Sequence, residues 1–276
     1  MNTVRIATLV ALAFTFAASA SHAETDYMWP RFSVSAGAYQ ISNTDKISVS
    51  GEFEVGNRKI DLGKDIGLPD SDTLIAGRID WAFAERHSLD LSYYSYDRSG
   101  SRSIGRVIEV GDHTYPVGAE VSANFKTTSL ELGYTYWFTH HDTFGFGGTF
   151  GLVALALDAD ASASAALGGT VGTISDSVSA STDVPVPMIG VNLRGMPVNR
   201  LVLFGRARFL PSVTIDKYSG QAASYTVGAE YYIVGPVALG VSYDGEYYRA
   251  DVDDSSWNGS VDLDTAGFRF FVRASF

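Results

Sequence analysis

Two kinds of side chain in this sequence could do chemistry: histidines beside acids, and charges set among apolar residues. His87 follows "ER", His140 and His141 sit in "THHD", and His113 follows Asp112 in "GDHTY". A His/Asp pair supports general-base hydrolysis only if the two side chains converge. Neighbours on a strand point to opposite faces, and Gly111-Asp112 reads as a turn. Asp251, Asp253, Asp254, Asp262 and Asp264 lie within "DVDDSSWNGSVDLD". Hard cations take such oxygen ligands, but the fixed Gly and terminal Glu of an EF-hand loop are missing. A solvated acidic loop is the plain reading, and weak divalent binding the sharper one. The chain has no cysteine, which excludes disulfides and a lipoprotein anchor. No metal site, cofactor or enzymatic activity is expected.

The second kind is more numerous. Arg78, Arg98, Arg194, Arg206, Arg208, Arg269 and Arg273 each fall on the polar phase of an alternating segment, as do Asp80, Asp90, Glu131, Glu230, Asp244 and Glu246. If the apolar phase faces lipid, these residues face inward, seven cations against six anions. Near-neutrality suits a narrow, ion-paired interior, because an unpaired charge there is costly. Glu230 is expected to face Arg206 or Arg208, and Asp80 to face the side of Asp90, or Arg98 nearer the rim. A charge filter for ions is the other reading of the same residues.

The elements that would position them are strands. Ten segments alternate with a period of two, at 31–41, 74–84, 88–98, 121–138, 143–157, 186–197, 200–215, 221–234, 236–249 and 265–276. Ile75, Ile79, Trp81 and Phe83 share one face, as do Leu130, Leu132, Tyr134, Tyr136 and Phe138. Tyr225, Val227, Ala229, Tyr231 and Ile233 form a third such set. Ten is the count. Eight is the alternative, if the fifth and sixth or the seventh and eighth segments are not separate strands.

Connectors alternate in length. Short ones lie at 85–87, 139–142, 198–199 and 235, and long ones at 42–73, 99–120, 158–185 and 250–264. Residues 216–220 form another short one. "KISVSGEFEVGNRKIDLGKDIG" and "SIGRVIEVGDHTYPVG" read as hairpins that continue the wall, whereas the Ala/Ser/Gly-rich "ASASAALGGTVGTISDSVSAST" reads as a mobile loop. Tyr and Phe together number 31 with mean hydropathy near zero, as in membrane barrels. Tyr93, Tyr94, Tyr96, Tyr134, Tyr136, Trp137, Tyr231, Tyr232, Tyr247 and Tyr248 are expected mainly in interface girdles.

The start reads "MNTVRIATLVALAFTFAASASHA". One basic residue, an apolar run too short to span a bilayer and the small-x-small Ser21-His22-Ala23 predict a secretory leader over 1–23. A single domain, 24–276, follows. Without Arg5 its basic residues number 19 against 31 acidic, a net charge of −12, which argues against nucleic-acid binding.

The leader, the alternation, the connector pattern and the terminal "GFRFFVRASF" together resemble the small Gram-negative outer-membrane β-barrel proteins. The resemblance covers the whole mature chain. It implies an all-β, transmembrane, antiparallel up-and-down barrel with short periplasmic turns and long extracellular loops. It also implies export through the general secretory pathway and partners in outer-membrane lipid, lipopolysaccharide, periplasmic chaperones and the barrel-assembly machinery. Phe268, Phe270 and Phe276 resemble that machinery's recognition signal, although bulky residues replace the Gly expected mid-motif. Outer-membrane enzymes place His with Asp or Ser near the outer surface, whereas His87, His140 and His141 fall in predicted periplasmic turns. A structural or surface-interaction barrel with a closed lumen, a narrow pore and an enzyme are the three functional readings, in that order. The sequence names no external partner.

Overall fold

The structure is a computed structural model and describes residues 26–42, 48–50, 60–61, 71–103, 108–110, 113–115, 120–166, 173–215, 218–253 and 258–276. The predicted leader, the Gly111-Asp112 turn and most of the 43–70 connector lie outside these residues. In chain order the strands are β1 (Phe32–Ser42), the short β2 (Ser48–Ser50) and β3 (Ile60–Asp61), β4 (Ser71–Ala84) and β5 (His87–Ser103). The short β6 (Ile108–Val110) and β7 (His113–Tyr115) precede β8 (Glu120–His140), β9 (Phe144–Ala166) and β10 (Thr173–Val198). The last four are β11 (Leu201–Ile215), β12 (Tyr218–Val234), β13 (Val237–Asp253) and β14 (Asn258–Ser275).

The ten long strands are each antiparallel to the next, and β1 pairs with β14 to close the ring. The count is therefore ten, not eight. Closure runs from Ser33↔Ser275 to Ile41↔Gly267, and Phe32 and Phe276 exchange backbone hydrogen bonds of 2.9 and 2.7 Å below it. Closing the sheet removes the unpaired edges that a flat sheet exposes. Turns at 85–86, 141–143, 199–200 and 235–236 lie at one end with the start of β1 and Phe276. Gly235 takes a positive φ of 47° there, which its missing Cβ permits.

Strand phase follows the alternation in the sequence. Ile79, Leu132, Val191, Leu203, Val227 and Phe270 point outward and are exposed. Phe32, Phe83, Phe138, Phe144 and Tyr231 ring the turn end of this apolar face, and Tyr93, Phe209, Tyr225, Tyr243 and Phe268 ring its other limit. At the turn end itself the alternation lapses, because the register partners Val237 and Ala274 are buried.

Several predicted loops are wall. β9 and β10 have 23 and 26 residues, about twice the 9–11 that a tilted strand needs to cross a bilayer. Of the segment expected to be a mobile loop, 167–172 lie outside the described residues, and the rest belongs to the arms of their hairpin, which pair from Ser181↔Asp158 to Thr173↔Ala166. The backbone ladder itself satisfies the polar groups there. The described parts of the acidic stretch, 251–253 and 258–264, likewise belong to a ladder, with Asp253 opposite Asn258. β2 extends the wall by pairing with β14. β6 and β7 form a separate two-stranded sheet instead. Pairing of β10 with β11 runs only up to Ile189↔Phe209. Pro185, Pro187 and Pro211 follow immediately above, and a residue without an N–H cannot donate to a ladder.

Candidate functional site: the lumen

All thirteen charged residues singled out from the sequence lie on the barrel strands. Arg78 and Asp80 are on β4, Asp90 and Arg98 on β5, Glu131 on β8, and Arg194 on β10. Arg206 and Arg208 are on β11, Glu230 on β12, Asp244 and Glu246 on β13, and Arg269 and Arg273 on β14. Asp90, Arg98, Arg208, Glu230, Asp244 and Arg273 are buried although the strands around them are apolar on the outside.

Eight of these groups form one chain of alternating sign across the lumen. Arg194 pairs with Glu230 at 2.7 Å, and Glu230 lies 3.6 Å from Arg273. Arg273 reaches Asp80 at 3.1 Å, which pairs with Arg78 at 2.8 Å. Arg78 continues to Asp90 at 3.2 Å, and Asp90 to Arg208 at 3.1 Å. Arg208 ends the chain on Glu131. Four guanidiniums meet four carboxylates, so the chain is neutral. It also resolves a local conflict, because Asp80 and Asp90 are direct register partners. Like charges opposite one another repel, and Arg78 bridges the two.

A separate island centres on Asp244. Arg269 pairs with it, Nε donating at 3.1 Å, while Thr226 and Ser242 donate at 2.6 and 2.8 Å. The pairings differ from the sequence expectation. Glu230 meets Arg194 and Arg273, not Arg206 or Arg208; Asp80 does lie opposite Asp90, the first of its two expected placements, but its ion pairs are with Arg78 and Arg273. Register explains the first difference: Glu230 lies opposite Val202, four residues along β11 from Arg206. Arg98 packs 5.0 Å from the Tyr96 ring. Glu246 accepts a hydrogen bond from Tyr94.

Gly133 on β8 makes the central pair possible. A Cβ there would lie 2.6 Å from both the Asp90 carboxylate and the Arg208 guanidinium. Nothing in the sequence alone marked Gly133, since the strand that opposes Asp90 is known only from the register.

Aromatic side chains are buried in the lumen on either side of the charges. Tyr39, Ile41, Leu74, Ala76, Tyr94 and Tyr96 form one buried cluster. At the turn end Tyr232, fully buried, packs with Val202 and Ala238 against Tyr27 and Met196. Tyr94, Tyr96, Tyr232 and Tyr248 were expected mainly in girdles, but each faces inward and is buried. Adjacent tyrosines on a strand must split between the two faces, so Tyr93 and Tyr231 alone of their pairs belong to the outer rings.

The segment before β1 supplies a plug that the alternation could not reveal. The Asp26 carboxylate accepts from the N–H groups of Met28 and Trp29 at 3.0 and 2.8 Å, tightening a turn. Met28 is buried, and Trp29 stacks on His140 with centroids 3.9 Å apart. The Trp29 indole donates to the His141 carbonyl, and Arg194 donates to the Tyr27 carbonyl at 3.2 Å.

Two cavities of about 90 and 40 Å³ remain inside, and Arg78, Arg206 and Arg269 line both. His87 faces the Tyr134 hydroxyl at 2.7 Å, and His113 sits on β7, opposite Val110. Among the described residues no group of three or more His, Cys, Asp or Glu could hold a metal ion, and no helix is long and apolar enough to cross a membrane.

The class this geometry defines is a closed, ten-stranded, antiparallel up-and-down barrel, apolar outside and charged within. No protein-family model and no curated protein matches the chain. Solved structures that it is similar to are Gram-negative outer-membrane barrels. The outer membrane protein OprG from Pseudomonas aeruginosa is 12% identical over 89% of this chain and 96% of that one, with a TM-score of 0.36. Ail, the attachment invasion locus protein of Yersinia pestis, is 12% identical over 88% and 99%, with a TM-score of 0.31. The Pseudomonas putida toluene transporter TodX is 9% identical over 94% and 93%, with a TM-score of 0.36.

Proposed function

We propose that the chain is an integral outer-membrane β-barrel with a closed lumen, and that its role is structural or one of surface interaction. One observation carries the closed lumen. The neutral eight-group chain and the turn-end plug occupy the interior, and the two cavities beside them have only about 90 and 40 Å³. The outer face supports the membrane setting. It is an aliphatic belt between two aromatic rings, the arrangement that suits hydrocarbon flanked by headgroups.

On this reading the turns face the periplasm, and the long β8–β10 wall rises on the outer side toward lipopolysaccharide. The leader over 1–23 takes the chain through the secretory pathway. Periplasmic chaperones then deliver it, and the assembly machinery reads the terminal strand at Phe268, Phe270 and Phe276. Phe268 and Phe270 point outward, where another protein could reach them. No hydrolytic activity is proposed. The alternative is a narrow pore, favoured by the shared walls of the two cavities.

Planar-bilayer recording of the refolded barrel separates the two. A flat trace from folded protein is expected, and steady single-channel steps that scale with salt would establish the pore instead. Folding itself is checked by heat-modifiable gel migration, which a membrane barrel shows. Single-cysteine labelling checks the phase: positions 225 and 227 should react with a lipid-soluble probe, and positions 226 and 230 should not.

A further inference from the structure

The larger cavity is lined by five guanidiniums and two carboxylates. The cations are Arg78, Arg194, Arg206, Arg269 and Arg273, and the anions are Asp80 and Asp90. Glu230 answers Arg194 and Arg273, and Asp244 answers Arg269. Counting those two as well leaves five positive charges against four negative. Of the five, Arg206 is the one that pairs with none of these four carboxylates.

Arg206 differs from its neighbours in one respect. Among the described residues its guanidinium makes no ion pair and no hydrogen bond, and its recorded partner is the Phe204 ring at 5.8 Å. It lines both cavities. A guanidinium offers five N–H donors and cannot shed its charge. Inside a confined space away from bulk water such a group needs a counter-charge. Glu246 shares the wall of the smaller cavity with Arg206 and accepts from Tyr94, but no carboxylate of the larger cavity pairs with Arg206, so on that side the counter-charge must come from solvent.

We propose that the larger cavity is a binding site for a small inorganic anion, held by Arg206. The cavity of about 90 Å³ exceeds what one water requires, so it can admit chloride with water or a small oxyanion. Arg78 and Arg269, each already paired to a carboxylate, add donors and positive field on the other walls. Charge-assisted N–H bonds to an anion are stronger than neutral ones. The site does not depend on whether the lumen conducts.

The test uses the refolded full barrel in detergent, unfolded by heat in sodium gluconate at constant ionic strength, with chloride or inorganic phosphate replacing gluconate. An anion that binds only the folded state raises the midpoint saturably. Chloride or phosphate should do so for the wild type, and the one that does identifies the class. Arg206→Gln should weaken the apparent affinity at least about tenfold, the loss expected for one strong charged contact. Arg86→Gln, in the exposed turn after β4, should respond as the wild type does. No shift in the wild type, or equal shifts in the wild type and Arg206→Gln, would overturn the proposal. Should Arg206→Gln not fold, wild-type crystals soaked in bromide decide: an anomalous peak beside Arg206 supports the site, and its absence refutes it.

Discussion

Arg206 and Arg208 lie two residues apart on the same face of β11, yet they occupy different regions of the lumen. Arg208 is buried between Asp90 and Glu131 and closes the eight-group chain. Arg206 faces the cavities and has a phenyl ring beside it. The two residues have the same chemistry and the same phase. What differs is what the other strands bring: Gly133 clears space beside Arg208, and no carboxylate reaches Arg206 among the described residues. A lumen charge is therefore structural or available according to the register of strands far from it in sequence.

The largest effect should come from Asp90→Leu. It removes the carboxylate shared by Arg78 and Arg208, and stripping one partner from a buried ion pair costs about 3–5 kcal/mol. The midpoint of heat-modifiable migration should fall clearly. Arg208→Gln should cost less, because Asp90 keeps Arg78. The double variant Asp90→Leu/Arg208→Leu should recover part of the loss, since apolar groups often replace buried pairs without penalty. A double variant no better than additive would show that the pair is not coupled.

Gly133→Val tests the space instead of the charge. Its Cβ would stand within contact distance of both partners, and overpacking a filled interior costs about 1–3 kcal/mol. Urea unfolding should show that loss with an unchanged slope. Arg206→Gln should change stability least, within about 0.5 kcal/mol as for sites outside any network, when measured in gluconate. If Arg206→Gln is as damaging as Arg208→Gln under those conditions, the contrast between the two arginines is lost.

Much of the fold was legible because a strand's side chains alternate by geometry alone. Ten alternating segments, their phase and the even count could be read from residues such as Tyr225, Val227 and Ala229 against Thr226 and Glu230. Strand length was less legible. Ala/Ser alternation at 158–182 carries little hydrophobic signal, and the hydrogen-bond ladder that makes it wall leaves no trace in side-chain polarity. The tyrosine pairs mislead for a related reason: their clustering suggests a girdle, whereas strand phase sends one of each pair inward.

By itself the sequence determined which residues face inward and that their charges nearly cancel. Those properties depend on period two and on counting, both local. Only the tertiary structure decided who pairs with whom. Glu230 meets Arg273 and Arg194 because closure of β1 on β14 and the stagger of the strands bring distant residues to one level. The turn-end plug, the cavity beside Arg206 and the opening of Gly133 to Arg208 share that origin. Each depends on distances across the lumen, and the spacing of residues along a single strand carries no information about those distances.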